Sequence, residues 1–100
     1  MAAELRIISA ATADLAKAHD WYEHQSPGLG KEFIRSVDAA FAFIERNLNL
    51  LSPVYRHLRR VLTKKFPYAV YYELCAGQVV RIVAIMHTAM DNARLDERSN

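Results

Sequence analysis

Apolar positions in the second half of the chain fall into two dense runs, Phe66 to Leu74 and Val79 to His87. In the first, Phe66, Tyr68, Val70, Tyr72 and Leu74 recur at every second position and form one large apolar face, the period of a strand. In the second, Val80, Ile82, Ala84 and Met86 make one face, while Val79, Val83 and Ile85 make the other nearly as apolar. A strand apolar on both sides needs something packed on each, or a partner on one. Cys75-Ala76-Gly77-Gln78 sits between the runs and supplies a glycine for the reversal, which predicts a β-hairpin. Upstream, Leu29, Phe33, Val37, Ala40, Phe41, Ile44 and Leu48 recur at steps of three and four, opposite Lys31, Glu32, Arg35, Asp38 and Glu45. That is the pattern of a long amphipathic helix. A shorter helix precedes it, with Leu15, Ala18 and Tyr22 in register, Thr12 as N-cap and Asp14 in its first turn. Ser26-Pro27-Gly28-Leu29-Gly30 stops the first helix and turns the chain into a helical hairpin.

Leu5 to Ser9 reads as a first strand, and Val54 to Thr63 as another that runs through Lys64-Lys65 into the hairpin. After His87 the chain is polar and uncapped, a loose tail. The predicted order is β-α-α-β-β-β. One hundred residues, of which 52% are hydrophobic, make one domain with a modest core. A single cysteine excludes an internal disulfide and fits a reducing, cytoplasmic setting. There is no secretion-signal pattern, and no apolar run approaches the roughly 20 residues that a bilayer requires, so no membrane partner is expected.

A formal charge of +2 does not point to nucleic acid. Arg59-Arg60 and Lys64-Lys65 form the one basic cluster and read as a solvated strand edge. Trp21 and Tyr22 read as core, and His87 as a hydrogen-bonded structural histidine. His19, Asp20, Glu23 and His24 offer i, i+4 pairs without a third ligand, so neither metal nor cofactor is expected. Gly28-x-Gly30 follows no strand and is a turn between helices, not a phosphate loop. Cys75 has no histidine near it in sequence to activate it as a nucleophile.

Several short motifs occur in a telling order: Asp14-Leu15, Trp21-Tyr22-Glu23, Pro27-Gly28-Leu29-Gly30-x-x-Phe33, Arg59-Arg60, Phe66-Pro67-Tyr68-x-Val70-x-Tyr72, and a strand ending in His87. Together, over residues 4–92, they resemble the RelE/ParE toxin superfamily of bacterial type II toxin–antitoxin modules, also called plasmid stabilisation proteins. The resemblance implies an α+β fold in which the helical hairpin packs on a small, twisted, mainly antiparallel sheet. Residues 1–92 would be the toxin domain and residues 93–100 its polar tail. It also implies a cognate antitoxin and a toxin–antitoxin hetero-oligomer.

That superfamily has two functional branches. The ribonuclease branch cleaves ribosome-bound messenger by attack of a 2′-hydroxyl on the neighbouring phosphate, which needs a base, an acid and fixed cations. Its strand pattern resembles Tyr-Arg-Leu-Val-Tyr, with the arginine facing the phosphate; here Ala69 stands at that position. Losing a contact of that type typically costs about 10²–10³ in rate. Under this alternative His87 would move a proton, and Arg59, Arg60 and Arg81 would supply cations. Met90 and Asn92 also depart from the His-x-x-Arg-Asp-Pro ending of many members. The ParE branch poisons DNA gyrase by protein contact, and the Phe66 to Tyr72 wording resembles it more closely. The resemblance therefore implies a ParE-like growth inhibitor, with a ribosome-dependent endoribonuclease or a decayed, antitoxin-binding member as alternatives. For the antitoxin, two surfaces offer themselves. One is the odd face of the hairpin with Tyr71, Val83 and Ile85; the other is Leu50, Leu51 and Tyr55 beside the helices.

Overall fold

The computed structural model describes residues 3–90 and 92–98. Its elements are β1 (Glu4–Ile7), α1 (Ser9–Gln25), α2 (Leu29–Arg46), β2 (Arg59–Leu62), β3 (Tyr68–Cys75), β4 (Val79–His87) and a single-turn α3 (Ala93–Asp96). The strands form one sheet in the order β1-β4-β3-β2, with β1 parallel to β4 and the other pairs antiparallel. The helical hairpin lies on one face, giving the expected α+β architecture with its β-α-α-β-β-β order and mainly antiparallel sheet.

The periodic apolar stripe of α2 is its buried stripe. Phe33, Val37, Ala40 and Ile44 are buried against Val70, Tyr72, Val80, Ile82 and Ile85 of the sheet, with Phe41 half-buried beside them. At one end of this core Tyr22, Phe33, Phe66 and Tyr68 pack ring to ring at centroid separations of 4.8–6.0 Å. Such tilted and edge-on contacts add to what burial alone contributes. The two helices approach closely at Gly30, where a Cβ would stand 2.9 Å from the His19 carbonyl oxygen. The turn between them is held by the Glu23 carboxylate, which accepts from the amides of Gly28 (3.0 Å) and Gly30 (3.0 Å). Those two bonds hold the Glu23 carboxyl below its ordinary pKa.

Helix α1 starts a turn earlier than Thr12. Ile8, still extended, donates to Ile82 O (3.1 Å), and its own carbonyl accepts from Ala11 N (3.0 Å) and Thr12 N (3.1 Å). The helix therefore nucleates on the end of β1 without a side-chain cap. Asp14 consequently lies beyond the first turn and serves a different purpose. Its Oδ2 accepts from Ile85 N of β4 (3.0 Å), and its carboxylate pairs two-pronged with the Arg98 guanidinium.

The hairpin is where the pattern misleads. Tyr71 pairs with Ala84 and Tyr72 with Ile82, leaving Val83 as an extra residue in β4. This bulge reverses the alternation. Val80, Ile82 and Ile85 face the helices, whereas Val83, Ala84 and Met86 face the other way, so the expected Val80-to-Met86 face is split between the two sides. The second side is not bare. Ala69, Tyr71, Val83, Ala84 and Met86 pack with Leu58 and Leu95 in a second cluster.

Both covering residues lie where other structure was expected. Val54 to Leu58 is a tight turn rather than strand, closed by Val54 N to Leu58 O (2.8 Å) and Leu58 N to Tyr55 O (2.9 Å), with Arg56 at φ 54°. That leaves β2 only four residues long. In place of a loose tail, α3 presents Leu95 to the second cluster. Asp96 accepts from Tyr55 OH (2.6 Å) and pairs with Arg56 (2.9 Å), and Arg98 also reaches Val83 O (3.3 Å).

Candidate functional site

The four residues that a nuclease would need do not converge. Antiparallel pairing places Arg59 opposite Tyr72, on the helix side, and Arg60 opposite Tyr71, on the far side. Arg59 Nε donates to Leu51 O (2.7 Å) and so fastens the loop after α2. Arg60 reaches Tyr71 OH at 3.4 Å. Arg81 pairs with Glu73 (2.8 Å), whose other oxygen meets His57 Nε2 (2.5 Å). His87 is exposed at the end of β4, its ring edge-on to Tyr68 and its Nδ1 accepting from Ala89 N (3.0 Å). His87 lies six residue steps along β4 from Arg81, roughly 20 Å at the strand rise. One phosphate cannot lie between groups that far apart.

The residues expected to meet an antitoxin also divide. Leu50 is 64% exposed, and Leu51 is half-buried at the surface. Tyr55 is half-buried under its bond to Asp96, and Tyr71 and Val83 lie beneath Leu58 and Leu95. Ile85, turned over by the bulge, is in the helix-side core. The odd face of the hairpin is thus neither continuous nor open in this conformation.

Two surface features among the described residues bear on function. The larger is a groove of about 630 Å³ between α2 and β2, lined by Ala39, Phe43, Leu51, Val54, Val61 and Leu62. Arg46, Arg60 and Lys64 stand around it. β2 closes one end of the sheet, so its outer backbone edge adjoins this groove. Exposed Val54 and Leu62 are the sequence signals for it, each an apolar residue in an otherwise basic stretch. The smaller is a cleft of about 270 Å³ between α1 and the end of β4. Trp21, Lys17, Tyr68, His87, Met90 and Arg94 are on its walls.

Trp21 is 58% exposed, not core. The apolar stripe of α1 is Ala11, Leu15, Ala18 and Tyr22, and Trp21 lies one residue off it, a rotation of about 100° on a helix. Tyr22 and Tyr68, by contrast, are half-buried, and burial raises the pKa of both hydroxyls.

No three His, Cys, Asp or Glu side chains come together as a metal site among the described residues. The α1 pairs are spent locally: His19 Nδ1 on Asp20 (3.0 Å), His24 Nδ1 on Asp20 O (2.8 Å), and Glu23 on the α2 amides. No helix among the described residues is long and apolar enough to cross a membrane.

Comparison with known proteins gives this geometry a family. A solved structure of the chromosomal ParDE toxin–antitoxin system from P. aeruginosa superposes with a TM-score of 0.61 at 14% identity, covering 85% of this chain and 95% of that one. The toxin–antitoxin complex RelBE2 from Mycobacterium tuberculosis superposes with a TM-score of 0.57 at 20% identity, covering 87% and 99%. At such identities the likeness is one of fold. Comparison with curated proteins finds no match. The model of the ParE toxin of the type II toxin–antitoxin system parDE, however, matches residues 5–92, nearly the whole span from β1 through β4, and the chain belongs to that family.

Proposed function

We propose that this chain is the toxin of a bacterial type II toxin–antitoxin pair, acting in the cytoplasm on DNA gyrase through protein contact rather than by cutting RNA. The observation that carries the choice is the scattering of His87, Arg59, Arg60 and Arg81 over both faces and both ends of the sheet. Ribonuclease chemistry needs its base and cations around one phosphorane. A protein that works by docking has no such requirement.

The groove between α2 and β2 supports an antitoxin partner of stated character. Its apolar floor fits one face of an amphipathic segment, Arg46, Arg60 and Lys64 favour acidic flanks, and the open edge of β2 can accept an added strand. Leu50, exposed beyond the end of α2, lies close in sequence to the Leu51 wall and extends the apolar area available. The two solved structures named above are described as toxin–antitoxin systems, which supports the same pairing here.

Inducing the chain in bacteria tests the reading. Growth arrest with DNA-damage signalling and intact messenger is expected, and co-expression of the protein encoded beside the gene should relieve it. Arrest accompanied by messenger cleavage at the ribosomal A site would overturn the gyrase reading.

A further inference from the structure

We infer that the cleft beside Trp21 is the surface through which the chain grips its target, taking one apolar or aromatic side chain from an acidic protein segment; the inference rests on the toxin reading above. The walls carry the apolar half. Trp21, Met90 and the inner side chains of Ala18, Ile85 and Met86 make half of the lining residues, and the Tyr68 ring adds to them. Trp21 and Met90 are two of the few large apolar side chains left exposed on the described surface. Tryptophan, methionine and arginine are the residues that protein interfaces concentrate, and an exposed tryptophan is the commonest anchor. Methionine side chains adapt to the shape that enters. A volume of about 270 Å³ falls below the usual range for drug-sized ligands, and suits a single inserted side chain.

The rim carries the charge. Asp14 is the one carboxylate among the described residues that line the cleft, and Arg98 and Ile85 N already occupy it. Lys17 and Arg94 have no ion pair among the described residues, which leaves the rim cationic. An acidic partner is therefore complementary. Nucleic acid fits less well, since the lining is mainly apolar and the whole chain carries only +2. The cleft is also built from residues separate from those lining the α2–β2 groove, so target and antitoxin have different contacts.

Two measurements test this. In the first, growth arrest is compared for the wild type, Trp21→Ala, the double charge reversal Lys17→Glu/Arg94→Glu, and Arg35→Glu as an exposed control on α2. Each variant is checked for folding by its circular dichroism and urea midpoint. Loss of an anchor weakens binding by about 30-fold or more, so both cleft variants should need at least about tenfold more inducer while Arg35→Glu behaves as wild type. If the wild type arrests growth and folded Trp21→Ala arrests it equally, the cleft is not the target surface although the toxin reading stands. A wild-type chain that does not arrest growth overturns both.

In the second, Trp21, the only tryptophan, reports its own surroundings by fluorescence. No change is expected on adding a single-stranded oligonucleotide or on concentrating the protein. Saturable quenching by micromolar oligonucleotide would reassign the cleft to nucleic acid. A concentration-dependent blue shift would reassign it to a second copy of the chain.

Discussion

Tyr72 carries its hydroxyl into the helix-side core, fully buried and without a hydrogen-bond partner among the described residues. Burial raises the pKa of that hydroxyl, so the neutral form persists throughout the working range of pH. A buried donor left unmade costs about 1–3 kcal/mol. Tyr72→Phe keeps the ring and removes that cost, so urea denaturation should show unchanged or raised stability. A loss above about 1 kcal/mol would mean that the hydroxyl has a partner. Glu23 behaves in the opposite sense. Its folded-state pKa lies below the ordinary 4.5 because the Gly28 and Gly30 amides favour the carboxylate. Its contribution is complete above the unfolded-state value and fades as pH falls through the folded-state value. An NMR titration should place its midpoint below that of an unstructured glutamate, and Glu23→Gln should flatten the acid limb of the stability curve. A midpoint at or above 4.5 would rule the cap out. Neither role was legible beforehand. The sequence offers Glu23 only as a member of an i, i+4 metal pair or of a short motif, and Trp21 as core, because single positions do not reveal which way a helix is rotated.

Among the elements, legibility followed the strength of the periodic signal. The α2 stripe was plain because it has one apolar phase and one polar phase, and the Phe66-to-Leu74 alternation because every even position carries a large apolar side chain. In β4 both phases are apolar, so the shift at Val83 leaves no trace in the sequence, and Ile85 ends on the opposite side from the one its position implied. The start of α1 was misplaced for another reason. Thr12 is a good cap in isolation, yet the helix grows directly off the end of β1 through Ile8. The segment after His87 presents only Met90 and Leu95 as large apolar residues, too little to suggest a packed turn. Leu95 is nevertheless 1% exposed, among Leu58, Ala69, Tyr71 and Val83. Leu95→Ala should therefore cost about 2–5 kcal/mol, as for other fully buried leucines. A loss under about 1 kcal/mol on urea denaturation would show that α3 does not close the second face.

At the scale of the molecule, the sheet carries a full core on its helix side and a thinner cover of Leu58 and Leu95 on the other. The described surface carries apolar openings with basic residues at the rim both at the α2–β2 edge and at the α1–β4 end. The family was readable from the order of short motifs across the chain. The expectation of the ParE-like branch leaned on Ala69, which lies fully buried on the far face. What the sequence could not supply was the placement of the remaining cations, since Arg59 and Arg60 are neighbours in sequence and face opposite sides. The claim that the chain acts by docking is tested most directly with purified components. The chain is incubated with DNA gyrase and plasmid DNA, and in parallel with ribosomes carrying messenger. Accumulation of gyrase-linked cleaved plasmid with messenger left whole is the predicted result; messenger cut at the ribosomal A site, with the plasmid untouched, would contradict it.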